Sequence, residues 1–218
     1  MLGDYGIFIS AGRVYRLMKS MKLPQMSTIK PKNLSHFNDE PLDAPNHLNK
    51  QFKQKSPDLV WVSDITYIRA ANRFFYLCVI IDLFSRKVIA YKLSDKIDAV
   101  LVLDTFNIAY KHRNCPAGLM FHSDRGCQYT SKTFRQLLDK LNVVQSFSAK
   151  GHPYDNAVCE SFFKYLKLEE VNRRTYATRQ QLEMALFEYI EGFYNSVRPH
   201  SNNSNLAPNK MEYKYYNS

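Results

Sequence analysis

The sequence has little of what membrane-spanning or disulfide-stabilised proteins need. Its 218 residues include only four cysteines, at positions 78, 115, 127 and 159, and no two of them are spaced C-x-x-C. A zinc knuckle or a redox pair is therefore not predicted, and we expect reduced thiols. The longest apolar run, residues 74–81, is far shorter than the roughly 20 residues that a membrane-spanning helix needs.

Two further absences narrow the class of protein. Residues 1–5 contain no basic stretch followed by an apolar one, so we expect no secretory signal and a location in the cytoplasm. With 45% apolar and 14% aromatic residues, the composition is not that of a disordered chain. The length predicts one main domain with attachments.

Basic residues outnumber acidic ones. The 30 lysines and arginines exceed the 20 aspartates and glutamates and give a formal net charge of +10. The excess is spread along the chain rather than concentrated in a tail. Such a balance favours a polyanionic partner, and nucleic acid is the commonest one.

The first quarter of the chain differs from the rest. Residues 11–21 carry apolar side chains at helical spacing and predict a helix. Residues 24–57 contain five prolines among lysine, asparagine and serine, which is typical of an extended basic linker. We therefore assign residues 1–56 to an N-terminal helix, a remnant of a DNA-binding segment, and a basic linker.

The remainder predicts an α/β fold. Residues 59–69, 74–82 and 87–93 are rich in β-branched and aromatic residues and predict three antiparallel strands joined by short turns. The nearly continuous apolar character of the second strand indicates burial on both faces. Further along, the pattern predicts shorter strands at 118–122 and 143–147, and helices at 97–112, 131–141, 155–170 and 178–195.

This order of elements resembles the ribonuclease-H-like fold, a mixed sheet of three antiparallel and two shorter strands flanked by helices. Residues 57–170 are predicted to form that catalytic core. Residues 171–218 are predicted to form a C-terminal helix and tail that complete it. The run from residue 201 to 205 is unusually polar, so we expect the tail to dock poorly.

Three carboxylates stand out by their positions. Asp64 lies inside the first predicted strand, where a charge is costly unless it is paired or bound to metal. Asp124 follows the short fourth strand and leads into a glycine turn, and Glu160 lies in the first turns of the long helix. Each has an ordinary explanation taken alone: a hydrogen-bonded strand residue, turn chemistry, and pairing with Lys164.

Together, the three suit metal-dependent phosphoryl chemistry. Mg²⁺ takes oxygen ligands, and two ions about 3.5–4 Å apart can stabilise the attacking and leaving oxygens of a phosphodiester. Without metal, such a cluster repels itself and raises the pKa of at least one carboxylate.

The motifs around these residues resemble those of the integrase-core transposases of bacterial insertion sequences, the OrfB-type proteins, which are similar to retroviral integrases. That family shares two aspartates and a glutamate with 35 residues between the last two, and residues 125–159 give that spacing here. Five blocks match in order: 61–67 (WVSDITY), 81–86 (IDLFSR), 122–129 (HSDRGCQY), 155–164 (DNAVCESFFK) and 194–200 (YNSVRPH).

The resemblance implies that Asp64, Asp124 and Glu160 are the catalytic residues and ligands of Mg²⁺, for which Mn²⁺ can substitute. It implies cleavage of DNA at the element's ends, followed by attack of the freed 3′-hydroxyl on another phosphodiester. The expected partners are element-end and target DNA, further copies of this chain, and a helix-turn-helix protein from an upstream reading frame. The expected location is the bacterial cytoplasm, in association with the nucleoid.

The resemblance also implies contacts to DNA from the long helix. Lys164 and Lys167 share a stripe with Glu160 and are predicted to hold phosphate. Asn156 is predicted to bind DNA, to orient Glu160 or to cap the helix. We interpret Asp82 as a turn carboxylate, and His122 and His200 as structural residues.

Two alternatives to a transposase stay open at this level. One is a ribonuclease-H-like nuclease that only hydrolyses. The other is a catalytically inactive transposase fragment that only binds DNA. Members of that family usually carry a longer helical DNA-binding segment before the core than this chain does. This difference is the reason to consider an inactive fragment.

Overall fold

The computed structural model describes residues 9–21, 45–148 and 156–218. These residues divide into two units, an N-terminal helix and everything from residue 45 onward. The N-terminal helix, α1 (Ala11–Ser20), confirms the predicted helix and begins at Ser10, whose side chain accepts a hydrogen bond from the main-chain N–H of Arg13.

The larger unit is built on one five-stranded sheet in the order β3-β2-β1-β4-β5. The first three strands pair antiparallel, whereas β4 is parallel to β1 and β5 is parallel to β4. The predicted mixed sheet is therefore confirmed. Its strands are β1 (Val60–Ala70), β2 (Arg73–Asp82), β3 (Val88–Ser94), β4 (Met120–Ser123) and β5 (Val144–Phe147).

The sheet has a hydrophobic cluster on each face, because successive strand residues point to opposite sides. In β2, Leu77, Val79 and Ile81 pack on one face, while Cys78 and Ile80 pack on the other. All five are fully buried, as the continuous apolar run predicted. We call the two sides the α5 face and the α2 face, after the helices that cover them.

The helices begin where the sequence offers capping residues. Asp98 and Thr178 each accept a hydrogen bond from a first-turn N–H at the start of a helix. No helix in the described ranges is long and apolar enough to cross a membrane. The helices after α1 are α2 (Ala99–His112), α3 (Cys127–Thr130), α4 (Lys132–Lys140), α5 (Ala157–Glu169), α6 (Arg179–Phe187) and α7 (Pro208–Tyr216).

The last predicted helix differs from the structure. Residues 178–195 form α6 followed by a wider π-helical segment, Glu188–Tyr194, which ends where the N–H of Asn195 bonds the carbonyl of Ile190. The apolar pattern of the sequence did not predict this π-helical segment. The short helix α3 and the C-terminal helix α7 were not among the helices placed by that pattern either.

The segment interpreted as a linker begins to pack before its predicted end. Leu48 is 2% exposed and belongs to the α5-face cluster. Its N–H donates a 3.1 Å hydrogen bond to the Ser146 hydroxyl of β5. Residues 45–56 are therefore partly built into the larger unit, whereas residues 24–44 of the predicted linker lie outside the described residues.

The expectation that the polar tail docks poorly is wrong. Asn203 is 2% exposed, and its side-chain amide donates a 2.6 Å hydrogen bond to the carbonyl of Ser85. Glu212 of α7 is also buried and accepts hydrogen bonds from Ser85, Lys87 and Arg113. The tail is held by paired polar groups rather than by apolar area, which an apolar pattern does not reveal.

Candidate active site

The register of the sheet brings two of the three carboxylates to one level. Val62 of β1 lies opposite His122 of the parallel strand β4. Asp64 and Asp124 each come two residues after that pair, and a spacing of two returns a strand residue to the same face. Asp64, within β1, and Asp124, directly after β4, therefore lie at neighbouring positions just beyond the paired part of these two strands.

Asp64 is half-buried on the α5 face. Its Oδ1 accepts a 2.7 Å hydrogen bond from the N–H of Ile65. Burial, with the charges of Asp124 and Glu160, raises the pKa of Asp64 to about 8 against the lowering effects of the Ile65 N–H and Lys167. The pKa shows that the three predicted carboxylates share one electrostatic neighbourhood.

Asp124 is held by the bend that follows β4. Its Oδ1 accepts a 2.9 Å hydrogen bond from the N–H of Gly126, and burial raises its pKa while that bond lowers it. A Cβ at Gly126 would lie 3.0 Å from Asp124 Oδ1 and 2.9 Å from Gln128 Oε1. The absence of a side chain at Gly126 therefore leaves room for the Asp124 carboxylate.

Glu160 comes to the site on α5. This helix packs on β1 and β2, and its buried side chains join the α5-face cluster, while Glu160 itself is exposed in the first turn. In the described ranges Glu160 forms no ion pair, so the predicted pairing with Lys164 is not observed. The carboxylate is left open to solvent beside Asp64.

The donor set fits a hard divalent cation in its chemistry. Asp64 and Asp124 each use one oxygen in a hydrogen bond to a main-chain N–H. Within the described residues, their second oxygens and both oxygens of Glu160 make no hydrogen bond. Oxygen-only sets of this kind suit Mg²⁺ or Mn²⁺.

Among the described residues, the three carboxylate side chains do not form a compact chelating group. Across residues 9–21, 45–148 and 156–218, no three His, Cys, Asp or Glu side chains lie close enough together to hold an ion. Residues 149–155, which precede α5, lie outside the described residues.

Asn156 is not a solvent-exposed residue. It occupies the position just before α5, is 6% exposed, and makes no side-chain capping bond. Instead, its Nδ2 donates a 3.2 Å hydrogen bond to the carbonyl of Ser63, and its buried Oδ1 has no hydrogen-bond partner among the described residues. The side chain ties the helix of Glu160 to the strand of Asp64.

The two predicted DNA-binding lysines have different surroundings. Lys164 is exposed, and its Nζ lies 5.9 Å from the ring centre of Tyr165. Lys167 is half-buried, and its Nζ lies 4.5 Å above the ring of Tyr67. Burial lowers the pKa of Lys167, and the charge of Asp64 partly opposes that effect.

The residues interpreted as structural have structural contacts. Both ring nitrogens of His122 lie within hydrogen-bond reach of serine hydroxyls, those of Ser146 at 2.9 Å and Ser148 at 3.3 Å. Asp82 is buried and accepts hydrogen bonds from the N–H groups of Phe84, Ser85 and Asp58 at the end of β2. His200 lies 3.0 Å from the Tyr194 hydroxyl.

Sequence reasoning missed two features near this site. Ser63, next to Asp64, directs its hydroxyl to the other face of the sheet, where it lies 2.8 Å from the buried Tyr129 hydroxyl. Arg86, in the turn after β2, is a buried cation with an unpaired nitrogen. The matched block at residues 81–86 contains Arg86, but no local pattern shows that its side chain turns inward.

Comparison with known families and proteins extends these observations. Two family models, both described as an integrase core domain, match residues 54–153 and 141–208. The transposase for insertion sequence element IS904 of Lactococcus lactis is 38% identical over all of this chain and 85% of its own length. The IS600 31 kDa protein of Shigella sonnei is 33% identical over 99% of this chain and 79% of its own length.

A further relative is matched in part. The transposase InsF for insertion sequence IS3A of Escherichia coli is 39% identical over 78% of this chain. The match spans 59% of the length of InsF.

Solved structures show the same fold. A simian T-cell lymphotropic virus intasome chain aligns with a TM-score of 0.56 and 18% identity over 73% of this chain and 56% of its own. The Mos1 transposase catalytic domain, solved with Raltegravir and Mg, aligns with a TM-score of 0.55 and 16% identity over 62% of this chain and 72% of its own. The likeness at this identity concerns the fold alone.

Proposed function

This chain belongs to the integrase-core transposases of bacterial insertion sequences, and from that membership we propose that it cleaves and joins DNA with Asp64, Asp124 and Glu160 as its catalytic, metal-binding residues. As a family member it is a polynucleotidyl transferase with a ribonuclease-H-like sheet. The proposal adds the residues, the metal and the order of the steps.

One observation supports the residue assignment above all others. The pKa of Asp64 is raised to about 8 by burial and by the charges of Asp124 and Glu160. Three carboxylates from separate elements, with the charge of Lys167 only partly opposing the rise in the pKa of Asp64, make a neighbourhood that favours added positive charge. Mg²⁺ or Mn²⁺ is the cation proposed, and the Mos1 transposase catalytic domain, which has a similar fold, was solved with each of these metals.

The metal, when bound, polarises the scissile phosphate and the attacking oxygen. The work of the chain is positioning. β1 and β4 hold Asp64 and Asp124 at one level, and α5 presents Glu160 beside them. Water is the first nucleophile and a freed 3′-hydroxyl the second, with no covalent bond between protein and DNA. Fixed geometry and charge supply most of the catalysis in phosphoryl transfers.

The remaining assignments belong to the same proposal. Lys164 and Lys167 contact DNA phosphates beside Glu160, whereas Asn156 acts by holding α5 to β1. Residues 57–170 form the catalytic core, preceded by the arm 1–56 and completed by residues 171–218. The protein acts in the bacterial cytoplasm at the nucleoid, as a multimer on paired element ends, with an upstream-frame helix-turn-helix protein as a further partner.

The test is an in vitro reaction on labelled element-end DNA with Mg²⁺ or Mn²⁺. Wild-type protein should nick at the element end and then produce joined strands. Asp124→Asn should abolish both products while DNA binding persists. Hydrolysis without joined products would identify a nuclease, and full activity of Asp124→Asn would overturn the site assignment.

A further inference from the structure

A cleft of about 280 Å³ lies on the flank of α5. We call it the Arg86 cleft. It is bordered by α5 on one side, by Arg86 from the turn between β2 and β3, and by the segment that follows the π-helical turn. The residues that carry the following argument are Arg86, Ser161, Tyr165, His200, Ser201 and Asn202, all of which line it.

Arg86 is an unusual lining residue because its side chain is buried. It is 5% exposed, and its NH2 nitrogen donates a 2.8 Å hydrogen bond to the carbonyl of Phe52. With the amide of Asn202 oriented to accept, Nε and NH2 also donate to it at 3.1 and 2.8 Å. The third nitrogen, NH1, is buried and makes no hydrogen bond within the described part of the chain.

The charge of Arg86 has no carboxylate directly against it. Among the described residues, the half-buried arginines Arg113 and Arg198 pair with Glu212 and Glu169, but Arg86 forms no ion pair. No acidic side chain lines the cleft. The carboxylate of Asp82 favours the charge of Arg86 without forming an ion pair with it, and a buried cation that lacks a directly paired anion is costly.

The other lining groups add no negative charge. Burial, with the nearby charges of Arg198 and Arg86, lowers the pKa of His200 to about 4, so His200 is neutral at physiological pH. Ser161 and Ser201 are exposed and can donate hydrogen bonds from their hydroxyls. The cleft therefore offers one full positive charge and several neutral donors, which suits an anion with several oxygens.

The size of the cleft narrows the class of anion. Pockets that enclose whole small molecules usually measure about 300–1,000 Å³. This cleft is smaller and open, so it suits one phosphate with part of its sugar, as a segment of a longer strand. It also borders the helix that carries Glu160, since Ser161 is the next residue.

We propose that the Arg86 cleft is a binding site for one backbone phosphate of a DNA strand that passes along the flank of α5. The inference rests on the proposed function, because it requires DNA to lie against α5. It adds a contact on the side of the helix turned toward Tyr165, distinct from the stripe of Glu160, Lys164 and Lys167. Arg86 supplies the charge, and Ser161 and Ser201 complete the cradle.

The test changes the charge at the mouth of the cleft and leaves Arg86 itself intact. Ser201→Asp places an anion in the cleft, and Ser201→Lys places a second cation there. Thr133→Asp is the matched control, because Thr133 is an exposed hydroxyl residue on α4, which covers the other face of the sheet. Affinity for a labelled DNA duplex is measured from low to moderate salt.

Ser201→Asp should weaken binding about tenfold at low salt, the factor expected for the loss of one charge-assisted hydrogen bond. The slope of log affinity against log salt should fall by about 0.9, which is the contribution of one phosphate contact. Ser201→Lys should strengthen binding, and Thr133→Asp should match wild type. Opposite effects of the two Ser201 variants cannot arise from misfolding alone.

Two results would overturn the inference. One is unchanged affinity and slope for both Ser201 variants. The other is stabilisation of the protein by inorganic phosphate, lost in Ser201→Asp, together with unchanged DNA affinity, which would identify a site for a free anion. Neither result bears on the proposed function, which the separate reaction with Asp124→Asn tests. A failure of this inference can therefore be told apart from a failure of the proposed function.

Discussion

The side-chain amide of Asn156 donates a 3.2 Å hydrogen bond to the main-chain carbonyl of Ser63, one residue before Asp64. This bond joins the start of the helix that carries Glu160 to the strand that carries Asp64. Residues 63 and 156 are 93 positions apart in the chain. The relative position of two proposed metal ligands thus depends on one side chain that touches neither.

Asn156→Ala should therefore reduce the rate of strand joining without weakening DNA binding. A small misplacement of reacting groups can lower a rate by about 10²-fold, and we expect a loss between tenfold and that value. Single-turnover kinetics measure the rate, and fluorescence anisotropy measures affinity. Asn107→Ala, at an exposed position of α2, is the control. A weaker affinity with an unchanged rate at saturating DNA would instead support the DNA contact predicted from the sequence.

Asp64→Asn should stabilise the metal-free protein and remove its response to metal. Burial and the charges of Asp124 and Glu160 raise the pKa of Asp64 to about 8, so folding at neutral pH must protonate a carboxylate that is ionised in the unfolded chain, and asparagine avoids that cost. Wild-type protein should gain about 2.7 kcal/mol when Mn²⁺ is present at 100 times its dissociation constant. Thermal unfolding with and without Mg²⁺ or Mn²⁺ measures both effects.

Asp139→Asn is the matched control for that experiment, since Asp139 is an exposed carboxylate on α4. It should keep the wild-type response to metal. Equal metal stabilisation of wild type and Asp64→Asn would contradict the proposed ligand set.

Gly126→Ala should impair catalysis more than stability. The new Cβ would lie 3.0 Å from Asp124 Oδ1, closer than ordinary contact, so the carboxylate must shift. We expect a loss of joining activity of about tenfold or more. Gly192→Ala is the control, because a Cβ there meets nothing within 4 Å. Equal activity of the two variants would show that Asp124 tolerates the displacement.

Lys164→Gln should weaken DNA binding, and the loss of affinity should depend on the salt concentration. Lys164 is exposed one turn along α5 from Glu160, where a phosphate contact would release counterions. The slope of log affinity against log salt should fall by about 0.9 for a duplex. Lys140→Gln, an exposed lysine on α4, should leave the slope unchanged. Identical slopes for both variants would remove Lys164 from the DNA interface.

Glu212→Gln should destabilise the fold by about 2 kcal/mol, because it leaves the buried Arg113 short of a charged partner. Burial alone would raise the pKa of Glu212, but hydrogen bonding and charge from Arg113, with Lys87, bring it below its ordinary value. The carboxylate therefore stabilises the protein above the unfolded-state pKa, and the benefit disappears as the pH falls through the folded-state pKa.

The gap in unfolding free energy between wild type and Glu212→Gln should accordingly be full at pH 7 and narrow below about pH 4. Urea unfolding at several pH values measures it. Glu183→Gln breaks an exposed pair with Arg179 and should change stability by less than about 0.5 kcal/mol. A gap that stays constant with pH would show that the charge of Glu212 is not the stabilising feature.

Local sequence determined the elements of the fold. The apolar run of residues 74–81 became a strand buried on both faces, and the helical pattern placed α2, α4 and α5 to within a few residues. These features depend on side-chain periodicity within one element, which is visible in a few consecutive residues. The motifs also directed attention to Asp64, Asp124 and Glu160 before any geometry was available.

The docking of the polar segments could not be predicted in the same way. Asn203 reaches Ser85 across 118 positions, and Glu212 reaches Arg113 across 99. Each bond needs a buried acceptor or donor that only the folded chain supplies. A run of asparagines and serines gives no local sign of which partner it will meet, and its polarity alone suggested poor docking.

By itself, the sequence determined which residue types carry the chemistry and the strands and helices that hold them. Only the tertiary structure decided that Asn156 faces Ser63 rather than solvent, and that Arg86 turns into a cleft beside α5 without a carboxylate partner. The reason is physical. Periodicity and spacing act within an element, whereas burial and unpaired charge arise only when distant elements come into contact.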